Sequence, residues 1–430
     1  MPKNSPPLVT RFRDTSSSVW LFGPAFVAGV AYLDPGNVAS NMTAGARYGY
    51  LLVWVVVVAN AMAWLIQYLS AKLGIVSGRS LPELIGERIK NRWMRRAYWV
   101  QAELVAMATD IAEVIGGALA LYLLFDLPLV WGGLITGCVS IALLLLQSKR
   151  GPRAFEFVII GLVAIIALGF TFGVFVGPPD AGAVAAGLVP RFEGVDSVLL
   201  AVSILGATIM PHAIYAHSAL TRDRFASPVS SGPLAPLSAP IARSTTSTSL
   251  LLRVTRWDVS IAMIIAGTVN LCILLLAATN LAGIPGTDSI TGAYDALRTG
   301  LGSVVATLFA IGLLASGLAS TSVGAYAGAE IMHGLLRVRV PLIARRLVTL
   351  IPALIVLGLG FDPTMALVLS QVVLSFGIPF ALIPLVSLTS RTEIMGSFRN
   401  QRVTLILGVL TALVLVALNA VLLLLLLTSP

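Results

Sequence analysis

Charged residues, cysteine and histidine are scarce in this chain. Of its 430 residues only 11% are Asp, Glu, Lys or Arg, two are Cys and three are His. So little charge, beside 57% hydrophobic residues and a mean hydropathy of +0.94, excludes a soluble domain of ordinary composition and implies a polytopic membrane protein. Cys138 and Cys272 both lie inside apolar runs, so they are expected to be small buried hydrophobes and neither a disulfide nor a metal pair. No His-Glu-x-x-His pattern exists, which removes an intramembrane metallopeptidase, and His212 and His217 are five apart, not the i, i+4 of a zinc helix. The chain is not read as an enzyme. Its first sixteen residues are polar and are not followed by a short apolar region with a small-residue cleavage site, so no cleaved signal is expected.

Apolar runs, in contrast, are abundant. Eleven are long enough for about 30 Å of hydrocarbon: roughly 19–45, 51–74, 97–124, 129–147, 155–177, 197–222, 258–281, 301–333, 343–360, 364–389 and 403–427. With the N-terminus cytoplasmic, all Lys and Arg except Arg47, Arg191 and Arg298 fall on the cytoplasmic side or at its edge, as the positive-inside rule requires. The C-terminus is then extracytoplasmic. The +9 net charge is a topology signal and a means of attracting anionic inner-leaflet lipids, with no nucleic-acid footprint.

Two of the eleven runs are interrupted. Leu33-Asp34-Pro35-Gly36-Asn37 puts a carboxylate and a helix break into the first, and Met210-Pro211-His212 cuts the sixth. A carboxylate in mid-bilayer costs at least about 2–3 kcal/mol, and backbone groups freed by a break are tolerated only where they line a cavity. Paired breaks in corresponding halves of a transporter point to one substrate site near the membrane midplane. The expected plan is all-α: a tail at 1–17, a first five-helix repeat at 18–177, an extracellular connection at 178–196, a second, inverted repeat at 197–390 and an eleventh helix at 391–430. Pro228, Pro233, Pro236 and Pro240 mark 223–250 as a flexible cytoplasmic loop.

The remaining polar residues within spans are few. Glu103, Asp110 and Glu113 are seven and three apart, on one face of the third span, as in a proton relay or an ion-pair network. Asn60, Gln67 and Ser70 share a face of the second. Ser80-Leu81-Pro82-Glu83 has the form of a capping box. Asn270 fits an interhelical hydrogen bond as well as a transport role. Gln371 is placed toward the centre, Arg345 and Arg346 at the start of span nine, and His217 and His333 carry no assignment. Ala315 to Ser322 is a run of small residues that permits close helix approach.

The breaks supply a hard carboxylate from Asp34, an amide oxygen from Asn37, main-chain carbonyls that include Ala207, and a thioether from Met210. Oxygen alone suits Mg²⁺ or Ca²⁺, whereas the thioether favours softer ions such as Mn²⁺, Fe²⁺ and Cd²⁺. His212, next to the break, is titratable near neutral pH and is a candidate proton acceptor.

Asp34-Pro35-Gly36-Asn37 and Ala207-Thr208-Ile209-Met210-Pro211-His212, with the acids of span three, Ser370-Gln371 and Ala315 to Gly334, resemble the natural resistance-associated macrophage protein (Nramp) family of proton-coupled divalent metal transporters, its bacterial manganese transporters above all. The resemblance covers nearly the whole chain from about residue 18. It implies a leucine-transporter-like fold, with Asp34, Asn37, the Ala207 carbonyl and Met210 as metal ligands and Gln371 joining in some states. It implies a proton route through His212, Glu113, Asp110 and Arg346, and no resident cofactor. Ser316-Gly317 and Glu330 depart from the family's pattern after the start of span eight. The expected protein is a monomeric, multi-pass importer of the cell membrane whose partners are divalent metal ions, protons and the bilayer. A sodium-coupled amino-acid carrier of the same fold is the alternative, although it needs neither a Met nor a buried Asp at the breaks. A channel would not need paired unwound segments.

Overall fold

The computed structural model describes residues 23–150, 152–225, 247–338 and 340–428. The tail at 1–17 and most of the loop at 223–250 lie outside the described residues. All regular structure among them is helical: α1 (Pro24–Gly29), a 3₁₀ turn (Val30–Leu33), α2 (Pro35–Tyr48), α3 (Val53–Ser77), α4 (Leu81–Arg88), α5 (Arg92–Phe125), α6 (Leu129–Arg150), α7 (Pro152–Val176), α8 (Ala181–Ala186), α9 (Gly194–Thr208), α10 (Pro211–Phe225), α11 (Thr248–Asn280), α12 (Ile290–Gly300), α13 (Ser303–Leu336), α14 (Leu342–Gly358), α15 (Pro363–Thr389), α16 (Thr392–Met395) and α17 (Arg402–Thr428). Eight segments are long and apolar enough to cross a membrane, α9 and α10 counted as one. The broken first run, α6 and α14 complete the eleven expected.

Both breaks fall where the sequence puts them. Asp34 leaves the helical region (φ −74°, ψ 165°) and caps α2 by accepting from Asn37 N at 2.8 Å, while Pro35, which has no N–H to lose, starts the new helix. α9 ends at Thr208, Ile209 turns out at φ −113°, ψ 71°, and Pro211 opens α10. The capping box at Ser80 is present in full, with Ser80 N donating to Glu83 Oε2 at 2.7 Å.

The helices approach closely because their contact faces carry glycine. A Cβ on Gly317 of α13 would meet the Glu113 carbonyl of α5 at 2.9 Å, and one on Gly206 of α9 would collide with the Gln371 carbonyl of α15. Association in lipid depends on such packing, since no hydrophobic effect separates one apolar surface from another there. Outward faces are apolar: Ile406, Leu410 and Leu413 of α17 are exposed, and α17 is held to α15 by Asn419, whose Nδ2 donates to Ser375 O at 3.1 Å. The eleventh span is peripheral.

One expectation fails. Cys138 is exposed and Cys272 only half-buried. α6 turns Gly132, Gly133, Thr136, Gly137 and Ser140 inward, and the 3.6-residue period leaves Cys138 on the outward face.

Gly206→Leu should force α9 away from α15 at a cost of about 1–3 kcal/mol, visible as a lowered melting temperature of the purified protein in detergent. Gly161→Ala, at a site with nothing within 4 Å of the added Cβ, should leave it unchanged or slightly raised.

Candidate functional site

A helix broken inside a bundle exposes carbonyls that need donors. At the first break Ser316 Oγ donates to Leu33 O, and Asn270 Nδ2 donates to Tyr32 O at 2.9 Å. Upstream, Asp258 accepts from Ala25 N at 3.0 Å. Asn270 therefore makes an interhelical hydrogen bond, and its acceptor belongs to the break itself. Ser316, one of the departures from the expected family pattern, has the same task.

The two breaks meet through Asn37. Its Nδ2 donates to Asp34 Oδ1 at 2.8 Å and to Ala207 O at 2.9 Å, so one amide group bridges a carboxylate of the first break and a carbonyl of the second. Gln371 reaches in from α15, its Nε2 donating to Ser370 Oγ at 3.0 Å and lying 3.4 Å from Asp34 Oδ2. A Cβ at position 36 would collide with the Gln371 side chain, so the glycine admits it. Asp34, Asn37, Ala207, Met210 and Gln371 are all fully buried. Asn37 Oδ1, Gln371 Oε1 and Thr208 Oγ1 have no hydrogen-bond partner. Buried polar oxygens are seldom left so, and two of them belong to amides whose N–H groups touch the Asp34 carboxylate. One anionic oxygen, neutral oxygens and, at the same break, the Met210 thioether are a set of donors that could hold a cation. Met210 is buried within the apolar core, its carbonyl accepting from Ile214 N at 3.2 Å.

The acids of span three form a second, separate centre. Arg346 Nη1 lies 3.0 Å from Asp110 Oδ1 and 3.4 Å from Glu113 Oε2, and Arg345 bridges Asp110 Oδ2 and Glu103 Oε1 at 3.0 Å each. Arg346 also donates to Ser140 Oγ at 2.9 Å and to Thr321 Oγ1 at 3.2 Å. Arg346, Asp110 and Glu113 are wholly buried. Arg346 stands at the start of span nine, where α14 begins at Leu342, and its side chain is turned inward, between α5, α6 and α13. The network draws on two adjacent arginines, where sequence reasoning assigned a role to one. Their adjacency, Arg345-Arg346 inside an apolar run, was the available signal.

His212 joins this centre indirectly. Its Nδ1 is hydrogen-bonded to Thr109 Oγ1 at 3.2 Å, the neighbour of Asp110, and its Nε2 has no partner. His217, left unassigned, belongs elsewhere: its Nδ1 is 2.6 Å from Gln67 Oε1, and Gln67 Nε2 donates to the Tyr32 hydroxyl, tying α10 and α3 to the first break. His333 lies 4.0 Å from Glu83 near Arg222, which pairs with Glu83 at 2.8 Å and Glu330 at 3.2 Å.

Similarity to known proteins agrees with this architecture. The family described as natural resistance-associated macrophage protein-like matches residues 25–425. A divalent metal cation transporter, MntH, of Mycobacterium tuberculosis is 57% identical over 421 residues, 97% of this chain and 95% of that one. A crystal structure of the manganese transporter of Eremococcus coleocola superposes with a TM-score of 0.80 at 32% identity, covering 98% of this chain and 88% of that one. MhsT in complex with L-phenylalanine superposes at 0.57 with 14% identity over 95% and 98% of the two chains, a likeness of fold alone. The expected leucine-transporter-like arrangement holds.

Arg346→Met should destabilise the protein by about 3–5 kcal/mol by leaving Asp110 and Glu113 undercompensated, read as lost folded yield and a lower melting temperature. Adding Glu113→Gln to Arg346→Met should recover part of that loss, because it removes one of the stranded charges.

Proposed function

The chain belongs to the Nramp family, and from that premise we propose that it imports divalent transition-metal ions, Mn²⁺ with Fe²⁺ and Cd²⁺, together with protons by alternating access. The observation that carries the reading is the buried meeting of Asp34 with the Ala207 carbonyl across two broken helices, with Asn37 and Gln371 oxygens unpartnered beside them. An N–H group of Asn37 now lies between the two oxygens that a cation would join. Turning that amide over presents Oδ1 to the same point. Asp34 supplies the anionic ligand, the three neutral oxygens complete a hard shell, and Met210 biases it toward softer ions. No resident cofactor is required, since the metal is cargo.

Asp34 must shed any proton it carries to bind a dication. We assign the proton's onward route to His212, Glu113, Asp110 and Arg346. His212 is one hydrogen bond from Thr109, and the buried acids of α5 continue away from the metal ligands. The two paths are distinct, which permits coupling without metal and proton competing along one track. The protein works as a monomer in the cell membrane, with a cytoplasmic N-terminus and an extracytoplasmic C-terminus. The amino-acid-carrier alternative gains nothing from the MhsT likeness, which concerns fold, and leaves a buried carboxylate at the break without a use.

Manganese uptake into proteoliposomes, measured with and without an inward proton gradient, tests the reading; uptake that is absent, or indifferent to the gradient, contradicts it. Asp34→Ala should abolish metal binding in a calorimetric titration, because a dication in a low-dielectric site loses its charge compensation. Met210→Ala should retain part of the Mn²⁺ transport while Ca²⁺ and Mg²⁺ compete more effectively, specificity being a difference of affinities. Glu113→Gln and Asp110→Asn should weaken metal-driven proton flux, followed with a trapped pH-sensitive dye, more than they weaken metal binding.

A further inference from the structure

Lys72 is an ammonium group near the end of α3 with only 8% of its surface exposed. Its Nζ donates to Asn400 Oδ1 at 3.0 Å, a neutral partner, and among the described residues no carboxylate pairs with it. Its charged neighbour is Arg256 of α11, which acts on it with the same sign. Arg256 in turn has its guanidinium 5.1 Å from the Tyr68 ring, one turn before Lys72, and Tyr68 stacks on Trp64 at 6.2 Å and 11°. Trp64 Nε1 donates to Ser260 Oγ at 2.9 Å, which fixes this aromatic pair against α11. Lys72 is thus a cation in a largely buried place with no carboxylate partner among the described residues, beside a second, exposed cation, an incomplete arrangement because paired charge is the rule away from water.

The surroundings indicate the missing anion. Arg253, Arg256 and Trp257 lie on an outward face of α11 that continues into exposed Ile261 and Ile264. A basic cluster, then aromatic rings, then an apolar strip is the order in which a bilayer presents headgroup, interface and acyl chains. A free anion would need the first part only. We propose that the α3–α11 groove at Lys72 and Arg256 binds the phosphodiester of an anionic phospholipid of the leaflet facing Arg253, with its acyl chains along Ile261 and Ile264. On the orientation proposed above this is the cytoplasmic leaflet; the site itself does not depend on the transport reading. Asn400 also donates through Nδ2 to Thr389 Oγ1 at 2.7 Å, at the end of α15. The lipid therefore clamps α3 and α11 to the helix that carries Gln371.

The test is the melting temperature of the purified full chain in a neutral detergent with added phosphatidylglycerol, phosphatidylcholine or inorganic phosphate. Phosphatidylglycerol should raise it by several degrees more than either of the others. Lys72→Gln and Arg256→Gln should each lose most of that difference, whereas Arg298→Gln, at a distant exposed site, should keep it. Equal effects of the two lipids, or retention of the difference in both groove variants, would overturn the proposal. An equal effect of inorganic phosphate would overturn it in favour of a soluble-anion site. If Lys72→Gln does not fold, Arg256→Gln decides alone, since that side chain is exposed and can be changed without opening the core.

Discussion

In hydrocarbon no water is present to receive an unpaired carbonyl or N–H group, and the interior of this protein is organised around that constraint. Two spans are deliberately interrupted, which frees main-chain groups where lipid cannot satisfy them. Each freed group described here is met by a side chain from another helix: Leu33 O by Ser316, Tyr32 O by Asn270, Ala207 O by Asn37, and the start of α1 by Asp258. The donors come from α2, α11 and α13, so the breaks fix the arrangement of the bundle while the bundle keeps the breaks from closing.

That arrangement accounts for the contrast between the two polar centres. At the breaks, amide oxygens are left over: Asn37 Oδ1 and Gln371 Oε1 stay unpartnered among the described residues, beside the Asp34 carboxylate. A surplus of acceptors is the feature on which the proposed cation site rests. Along α5 the partners are ionic: three carboxyl groups face two guanidiniums, the Ser140 and Thr321 hydroxyls accept from Arg346, and Glu103 Oε2 and Glu113 Oε1 have no hydrogen-bond partner among the described residues. This network lies beside a histidine that is one hydroxyl away, His212 through Thr109. The cluster at the breaks and the ion-pair network of α5 thus rest largely on different helices. Small residues of α13 let the two lie close: a Cβ at Gly324 would stand 3.1 Å from Glu113 Oε1.

Glycine and arginine divide the remaining work. Glycines at 206 and 317 bring backbones near one another and Gly36 admits the Gln371 side chain, where a larger residue would widen the gap. Arginines at 345 and 346 carry charge into the interior with enough donors to occupy several acceptors at once. Fixing their side chains is entropically costly, and the fold offsets this by giving each guanidinium at least two partners.

Much of this was legible in the sequence. Eleven apolar runs, the two breaks, the acid stripe of α5 and the capping box at Ser80 follow from hydropathy, proline and glycine positions and helical spacing, all of which act over a few residues and are decided locally. Asp34, Asn37, Ala207 and Met210 could be named because a break concentrates unusual chemistry in one stretch. Gln371 was isolated enough to notice, though only α15 packed against α9 brings it to Asp34. Sequence spacing could not show that Asn270 and Ser316 serve the first break, that His217 belongs to Gln67 and Tyr32, that Arg345 shares Asp110 with Arg346, or that Cys138 faces outward. Those pairings join residues tens to hundreds of positions apart, and which face of a uniformly apolar helix turns inward depends on its neighbours, so only the packed bundle determines them.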